Sequence, residues 1–370
     1  MNVLASPVHA SLLRLIGLRF LAVLVAVVSA ALVGALVLLS VGNDPLDAYR
    51  GLYEGAFGTA AQAKATLAQT TPLVFAALSF VVAFRSGIFN AGGQGQVVMG
   101  GFAAALVGSS VAASGLPRPI LVSLVVLAGA AGGALWSLPP VLFRVWWGTN
   151  EILTTLMLTY VAALLNDYLV QGPFRAASVE PGSNAQTESF TPSAEFPVVL
   201  ADSQVTFLLP VGLAVAVFIW WAMRRTTLGY ELRFAGKSPL AAKSGGVNTA
   251  RTMIIGMLFS GALAGVAGAA VVGGVFQATV SPFPPDIGFN GILAALLVGT
   301  SPILTPFAAL FFGALSQGGL GLQIFEGVSQ YIAIVLTATV ILFVAPRQLP
   351  ETWARVKRKI STGRAGDRGG

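Results

Sequence analysis

Phe84-Arg85-Ser86-Gly87-Ile88-Phe89-Asn90-Ala91-Gly92-Gly93-Gln94-Gly95-Gln96 sets one cation, three amides and four glycines between two long apolar runs. Unpaired polar atoms in hydrocarbon cost several kcal/mol, so such a stretch needs a physical reason. Glycine lets the backbone leave helix geometry or approach a neighbour closely. Amides satisfy the backbone groups thus freed, or face a cavity. Two readings follow. One is a polar turn with a helix start after it; the other is an interrupted helix whose amides line or shape a pathway.

The flanking composition places the stretch in a bilayer. Charged residues make up 9% of 370 positions and hydrophobic residues 55%, with a mean hydropathy of +0.82. A soluble chain carries about 25% charged residues, and this one folded in water would expose broad apolar patches. Facing lipid, the same side chains cost nothing. The 43 glycines suit helices that pack backbone against backbone without a hydrophobic driving force. A spanning helix needs about 20 apolar residues. Such windows fall at roughly 15–41, 66–84, 92–114, 119–143, 150–170, 205–223, 252–279, 288–303, 304–322 and 327–346. The expectation is an all-α integral membrane protein of about ten transmembrane helices. Pro72, Pro302 and Pro306 mark places where a span is broken or re-entrant. The first run, Leu12 to Val41, is too long for a signal-peptide core and reads as a retained helix.

Lysine and arginine placement sets the sidedness. The 224–251 loop carries six cations against Glu231, and the tail 347–370 is basic as well; both read as cytoplasmic. Arg14 and Arg19 put the N-terminus on the same side. The 171–204 segment holds Arg175 against Glu180, Glu188, Glu195 and Asp202 and reads as external, either a binding surface or a solvated spacer. The net charge of +7 is therefore a topology signal and gives no reason to expect a nucleic-acid partner. With no cysteine and His9 as the lone histidine, thiolate chemistry and Cys-ligated metals are excluded and no catalytic or metal site is expected.

Four stretches in order carry a family resemblance: Phe89–Gly108 (FNAGGQGQVVMGGFAAALVG), Gly148–Leu158 (GTNEILTTLML), Gly229–Ala242 (GYELRFAGKSPLAA) and Gly288–Gly299 (GFNGILAALLVG). Together they resemble the bacterial ABC importer permeases for nucleosides and simple sugars, within the branched-chain amino acid and ribose permease superfamily, over roughly residues 70–345. The resemblance implies a type II-like ABC importer permease fold in the bacterial inner membrane. It implies a permease that does no covalent chemistry and binds no cofactor, ATP being bound by a separate ATPase subunit. The implied partners are that ATPase, a second permease chain in a heterodimer, an extracytoplasmic substrate-binding protein and membrane lipid. Where the family often has Ile and an acid, this chain has Ala91 and Gln94; where it commonly has Asn, this chain has Thr159.

In such importers a short cytoplasmic helix passes ATPase closure to the permease, and the 228–250 stretch is the natural candidate. The resemblance implies that Glu231, Arg233, Gly236, Lys237, Pro239, Ala241 and Ala242 belong to it, with Arg233 to Ala242 docking on the ATPase. Glycines 229, 236, 245 and 246 can punctuate short helices, and Pro239 can open one behind a Ser238 cap. A solvated positive-inside loop would explain the charges alone. Gly236-Lys237-Ser238 looks like the end of a phosphate-binding loop, but Glu231 stands where the first glycine is required, so no phosphate site is expected.

Phe89, Asn90, Gln94, Gln96, Gln277 and Asn290 are the candidates for the solute pathway. Amides without charge suit a polar, uncharged solute, and they suit hydrogen bonding between helices equally well. The phenylalanines could stack on a base, or simply pack. Glu151, Asp167, Asp286 and Glu326 fall near span ends, where anchoring or a helix-dipole contact explains them. Their sparseness argues against the alternative, an ion-coupled secondary transporter, and no constellation supports a membrane enzyme. Gly101–Gly108 and Gly288–Gly299 echo one another weakly, as related halves of a transporter would.

Overall fold

The computed structural model of the chain describes residues 28–29, 31–40, 42–110, 115–178, 183–326 and 335. The window 327–346 (apart from Val335), the tail 347–370, His9 and most of the window 15–41 lie outside the described residues. Helices α1 (Ala31–Ser40) and α2 (Pro45–Phe57) meet at 118°. There follow α3 (Ala60–Arg85), α4 (Gly93–Gly108), α5 (Arg118–Trp147), α6 (Glu151–Gln171), α7 (Leu208–Arg225), α8 (Thr227–Lys237) and α9 (Pro239–Ser244). The last are α10 (Thr249–Val271), which continues as a π-helical turn over Val272–Phe276, α11 (Ile287–Leu297) and α12 (Thr305–Glu326). Six of these, α3, α5, α6, α7, α10 with its π turn, and α12, are long and apolar enough to cross a membrane.

Pro72 does not break its helix. It sits inside the 26-residue α3, where the Thr70 and Thr71 hydroxyls donate to the Thr66 and Leu67 carbonyls at 2.7 and 3.0 Å. The interruption lies instead at α11, whose 11 residues are too few to cross, followed by a turn containing Pro302.

The chain forms two compact units, residues 56–317 and the flanking residues on either side. In the flanking unit, Gly55 faces Gly318 and Gly321 backbone to backbone, and the Tyr49 hydroxyl donates to the Ala31 carbonyl. Arg50 and Glu54 pair at 2.8 Å on an exposed helix face, a contact of little energetic weight.

In the larger unit α3 is buried from Thr66 to Ala83 with few gaps and packs against α10, α11 and α7. Helices α4, α5 and α10 meet where Gly100, Gly129, Gly133, Gly261, Gly265 and Gly268 remove side chains from the contact. A methyl group on Gly265 would overlap the Gly129 carbonyl oxygen, and one on Gly268 the Val97 carbonyl. The outer face of α6 presents Leu153, Met157, Tyr160, Leu164 and Tyr168, all exposed, at helical spacing. That stripe is what a helix against lipid shows.

The two ends of this unit differ. At one end the described residues of the 171–204 segment fold down as a cap, anchored to the helix ends by backbone pairing. Strand β1 (Ala185–Gln186) pairs antiparallel with β2 (Val280–Ser281), Ala185 opposite Ser281. Thr191 donates its N–H to the Gly108 carbonyl at 3.0 Å. Phe190 and Phe196 are buried and pack edge to face at 6.3 Å, because apolar rings in that otherwise polar segment leave water by covering the helix ends. At the other end α8 and α9 lie across the C-terminus of α3 and the start of α10.

Candidate functional site: an amide hub and the coupling helices

The stretch from Arg85 to Gln96 leaves α3, turns through Gly87 at φ +84°, and re-enters helix at Gly93. Inside the turn, Asn90 is 1% exposed and makes four hydrogen bonds. Its Nδ2 donates to Gln96 Oε1 at 2.8 Å and to Ser260 Oγ at 2.9 Å. Its Oδ1 accepts from the Gly92 N–H at 3.1 Å and from Gln96 Nε2 at 3.2 Å. The Ser79 and Ser260 hydroxyls, 3.0 Å apart, extend the network to α3 and α10. Every donor and acceptor of the Asn90 amide is thus used inside the protein, so Asn90 and Gln96 tie α3, α4 and α10 together.

Gln94 is spent differently. Its Oε1 accepts from the Gly288 N–H at 2.6 Å and its Nε2 donates to the Pro284 carbonyl at 3.0 Å, gripping the backbone where α11 begins. The grip needs one acceptor and one donor, which an amide supplies and a carboxylate does not. Gln94→Leu, which keeps much of the volume and loses both bonds, is therefore expected to lower uptake and the melting temperature of the purified chain; parent-like values of both would contradict the assignment.

Phe89 is half-buried, edge to face with Phe80 at 5.1 Å and Phe84 at 6.4 Å, and so packs within the protein. Gln277 and Asn290 stand apart from the hub. Gln277 is exposed at φ +53°, just past the π turn, and Asn290 is half-buried one turn into α11. Between them runs a stretch, 277–286, with no helix and with Pro282, Pro284 and Pro285. Of the carboxylates, Glu151 pairs with Arg144 at 3.3 Å, and Asp167 accepts from the Ser281 hydroxyl at 2.7 Å. Asp286 is exposed at φ +69° at the start of α11; the side chain of Glu326 lies outside the described ones.

The 224–251 loop is two helices. Thr226 caps α8, its hydroxyl accepting from the Gly229 N–H at 3.0 Å. Gly229, Leu232 and Ala235 form its buried face, while Tyr230 stacks on Phe234 at 5.6 Å on the other side. Pro239 opens α9 as expected, but Ser238 contributes no side-chain cap. Gly229 and Gly236 do not punctuate helices. They lie within α8 and allow close approach, Gly229 to Ala222 and Met223, Gly236 to the carbonyl of Arg85 and the amide of Gly87. Lys237, Pro239 and Ala241 are exposed together with Leu240, 83% exposed, whereas Ala242 is buried and Glu231, Arg233 and Gly236 are half-buried. Of the seven expected coupling residues, three are thus exposed, three half-buried and one buried, with Gly236 lying against the turn that follows α3.

Ser79, Ser260, Pro284 and Thr300, whose carbonyl accepts from Arg85 Nε and Nη2, belong to this constellation and carry no signal in the sequence. Ser260 lies in a Gly/Ala-rich helix where a lone hydroxyl reads as filler. Pro284 and Thr300 act through backbone carbonyls, which any residue has.

Against known sequences, the family model described as branched-chain amino acid transport system / permease component matches residues 62–345. The nucleoside ABC transporter permease protein NupB of Lactococcus lactis is 33% identical over 94% of this chain and 96% of its own length. The guanosine ABC transporter permease protein NupP of Bacillus subtilis is 31% identical over 87% and 92%. A glucose ABC transporter permease protein of Haloferax volcanii is 31% identical over 86% and 84%. With most of its length matched in this way, the chain belongs to the branched-chain amino acid transport system permease family, the membrane-spanning permease subunits of ABC importers.

Proposed function

We propose that this chain is the permease half of an ATP-driven importer for a nucleoside, with a simple sugar as the second solute class. The observation that carries the reading is the α8–α9 element. It presents Lys237, Pro239, Leu240 and Ala241 outward while Gly236 rests on the turn that leads into the amide hub. An ATPase subunit binds ATP and docks on that exposed face; this chain needs no cofactor of its own. The opposite end, capped by the 171–204 segment, receives an extracytoplasmic substrate-binding protein. A second, different permease chain completes the pathway. About ten spans in a type II-like arrangement, with both termini on the cytoplasmic side of a bacterial inner membrane, accord with the positive-inside distribution.

Non-helical backbone at membrane depth is tolerated where it is buried in protein or lines a water-filled cavity. The 277–286 stretch with α11 is such a place, and Gln277 and Asn290 are the amides there that the hub does not consume. Both line the solute route, with Asn90, Gln94 and Gln96 shaping it from behind. Polar uncharged side chains match a solute rich in hydroxyl and amide groups. The solute names of the relatives, two for nucleosides and one for glucose, favour the nucleoside.

The test is uptake of labelled guanosine, uridine and glucose in cells carrying the complete system and in cells lacking only its ATPase. The expected result is nucleoside uptake that vanishes without the ATPase; uptake driven by an ion gradient alone would overturn it. Leu240→Asp should abolish co-purification of the ATPase and reduce uptake to background, since it puts a charge at an apolar docking point without touching the permease core. Thermal stability of the isolated permease should stay unchanged, because Leu240 is almost fully exposed.

A further inference from the structure

Helix α11 is held at both ends by side chains of the stretch that joins α3 to α4. At its start, Gln94 bonds both Gly288 and Pro284, as described above. At its end, Arg85 Nε and Nη2 both donate to the Thr300 carbonyl, at 3.0 and 2.8 Å. Thr300 belongs to the turn that closes α11: Gly299 has φ +62°, Thr300 has φ +55°, and the Thr300 N–H returns to the Ala295 carbonyl at 2.8 Å. A guanidinium at this point also meets the negative end of the helix dipole.

Arg85 has a plainer use open to it. An arginine ending a membrane helix ordinarily snorkels to water or takes a carboxylate partner. Here both donors of its fork go to one backbone oxygen 215 positions along the chain, although Arg224 and Arg233 add like charge nearby. The backbone of the same residue is the seat of the coupling element: Gly236 of α8 lies so close to the Arg85 carbonyl that a side chain there would overlap it. One residue therefore touches α8 with its main chain and the end of α11 with its side chain.

We propose that Arg85 is a positioning residue that links α8 to α11, so that displacement of α8 by the ATPase moves the C-terminal end of α11. Gln94 fixes the other end as a pivot. The core of glycine contacts between α4, α5 and α10 stays rigid, and the short helix with the non-helical stretch before it is the part that responds. This rests on the reading of the chain as an ATP-driven permease.

The experiment uses the complete transporter in proteoliposomes, native and with Arg85→Gln or Arg85→Lys, scoring ATP hydrolysis, nucleoside uptake and subunit assembly. Arg85→Gln should assemble and hydrolyse ATP, with nucleoside taken up per ATP falling by about fivefold or more, as for the loss of a typical coupling between sites. Arg85→Lys, keeping the charge and one donor, should fall in between. Because the chain has no cysteine, spin labels at Leu304→Cys and Trp146→Cys can follow the end of α11, and labels at Lys237→Cys and Trp146→Cys can follow α8. On trapping with ATP and vanadate, both distances should change in the native complex. In Arg85→Gln only the α8 distance should change. Unaltered uptake per ATP, or α11 still moving with α8 in Arg85→Gln, overturns the proposal. If Arg85→Gln does not assemble, Arg85→Lys decides: native coupling overturns the proposal and reduced coupling supports it. Uptake by the native complex without ATP would remove the transport reading itself, a result distinct from any of these.

Discussion

Gly265→Val is expected to yield a chain that does not accumulate as a folded protein. Around Gly265 the obstacles are main-chain atoms: a Cβ there would overlap the Gly129 carbonyl oxygen and fall 3.0 Å from the Gly133 nitrogen. Flexible side chains can turn away, whereas two helix backbones must separate as units. Overpacking a tight core costs about 1–3 kcal/mol where neighbours can adjust, and the cost here should lie at or above the upper end. Separating α10 from α5 also opens the contacts of Gly133, Gly261 and Ser137, whose hydroxyl donates to the Met257 carbonyl at 3.1 Å. Gly115→Ala is the control, since nothing lies within 4 Å of a methyl group there. Size-exclusion profiles and thermal melting of the purified chain check both; a monodisperse Gly265→Val protein with the parent melting temperature would refute the argument.

The second large effect is expected from Asn90→Leu. The side chains are close in volume, so the change tests hydrogen bonding rather than packing. It orphans Gln96 Oε1, Gln96 Nε2 and the Gly92 N–H, and leaves the Ser260 hydroxyl with Ser79 alone, in a site that water does not reach. Each buried orphan costs about 1–3 kcal/mol. Side-chain hydrogen bonds between membrane helices average only about 0.6 kcal/mol, because the unfolded chain in the bilayer finds other partners. Three orphans in one cluster still sum to several kcal/mol on the first scale and about 2 on the second, so loss of uptake and a clear drop in melting temperature are expected on either. Ser260→Ala removes two contacts, to Asn90 and Ser79, but leaves the Asn90–Gln96 pair intact and should cost less. Asn90→Ala and Gln96→Ala should combine less than additively, since each already breaks the bonds they share. Equal effects from Ser260→Ala and Asn90→Leu would mean the cluster is not centred on Asn90.

Both predictions concern features that the sequence displayed without explaining. The run of glycines in α10, TARTMIIGMLFSGALAGVAGAAV, announces close helix packing, yet nothing in it says which helix approaches which glycine. The amides at 90, 94 and 96 were legible as an anomaly in an apolar setting. Their division of labour was not, because it depends on Ser260 and Gly288, far along the chain, arriving beside them. Two elements read differently in space. Pro72 suggested a break, but α3 runs through it unbroken, buried from Thr70 to Ala83. The 171–204 segment reads by composition as either a binding surface or a solvated spacer, and buried Phe190 and Phe196 anchor it as a cap.

Membrane class, the basic and acidic loops and the family can all be read from residue order. Each of these depends on local quantities: hydropathy summed over a span, charge counted within a loop, and four motifs in order. How the stretch Phe84–Gln96 is used depends on the folded arrangement of distant segments. Its amides are consumed by α10 and by the start of α11, its arginine holds the end of α11, and its backbone carries α8. A hydrogen bond requires two groups within about 3 Å of each other, and sequence order does not encode which distant backbone will supply the second.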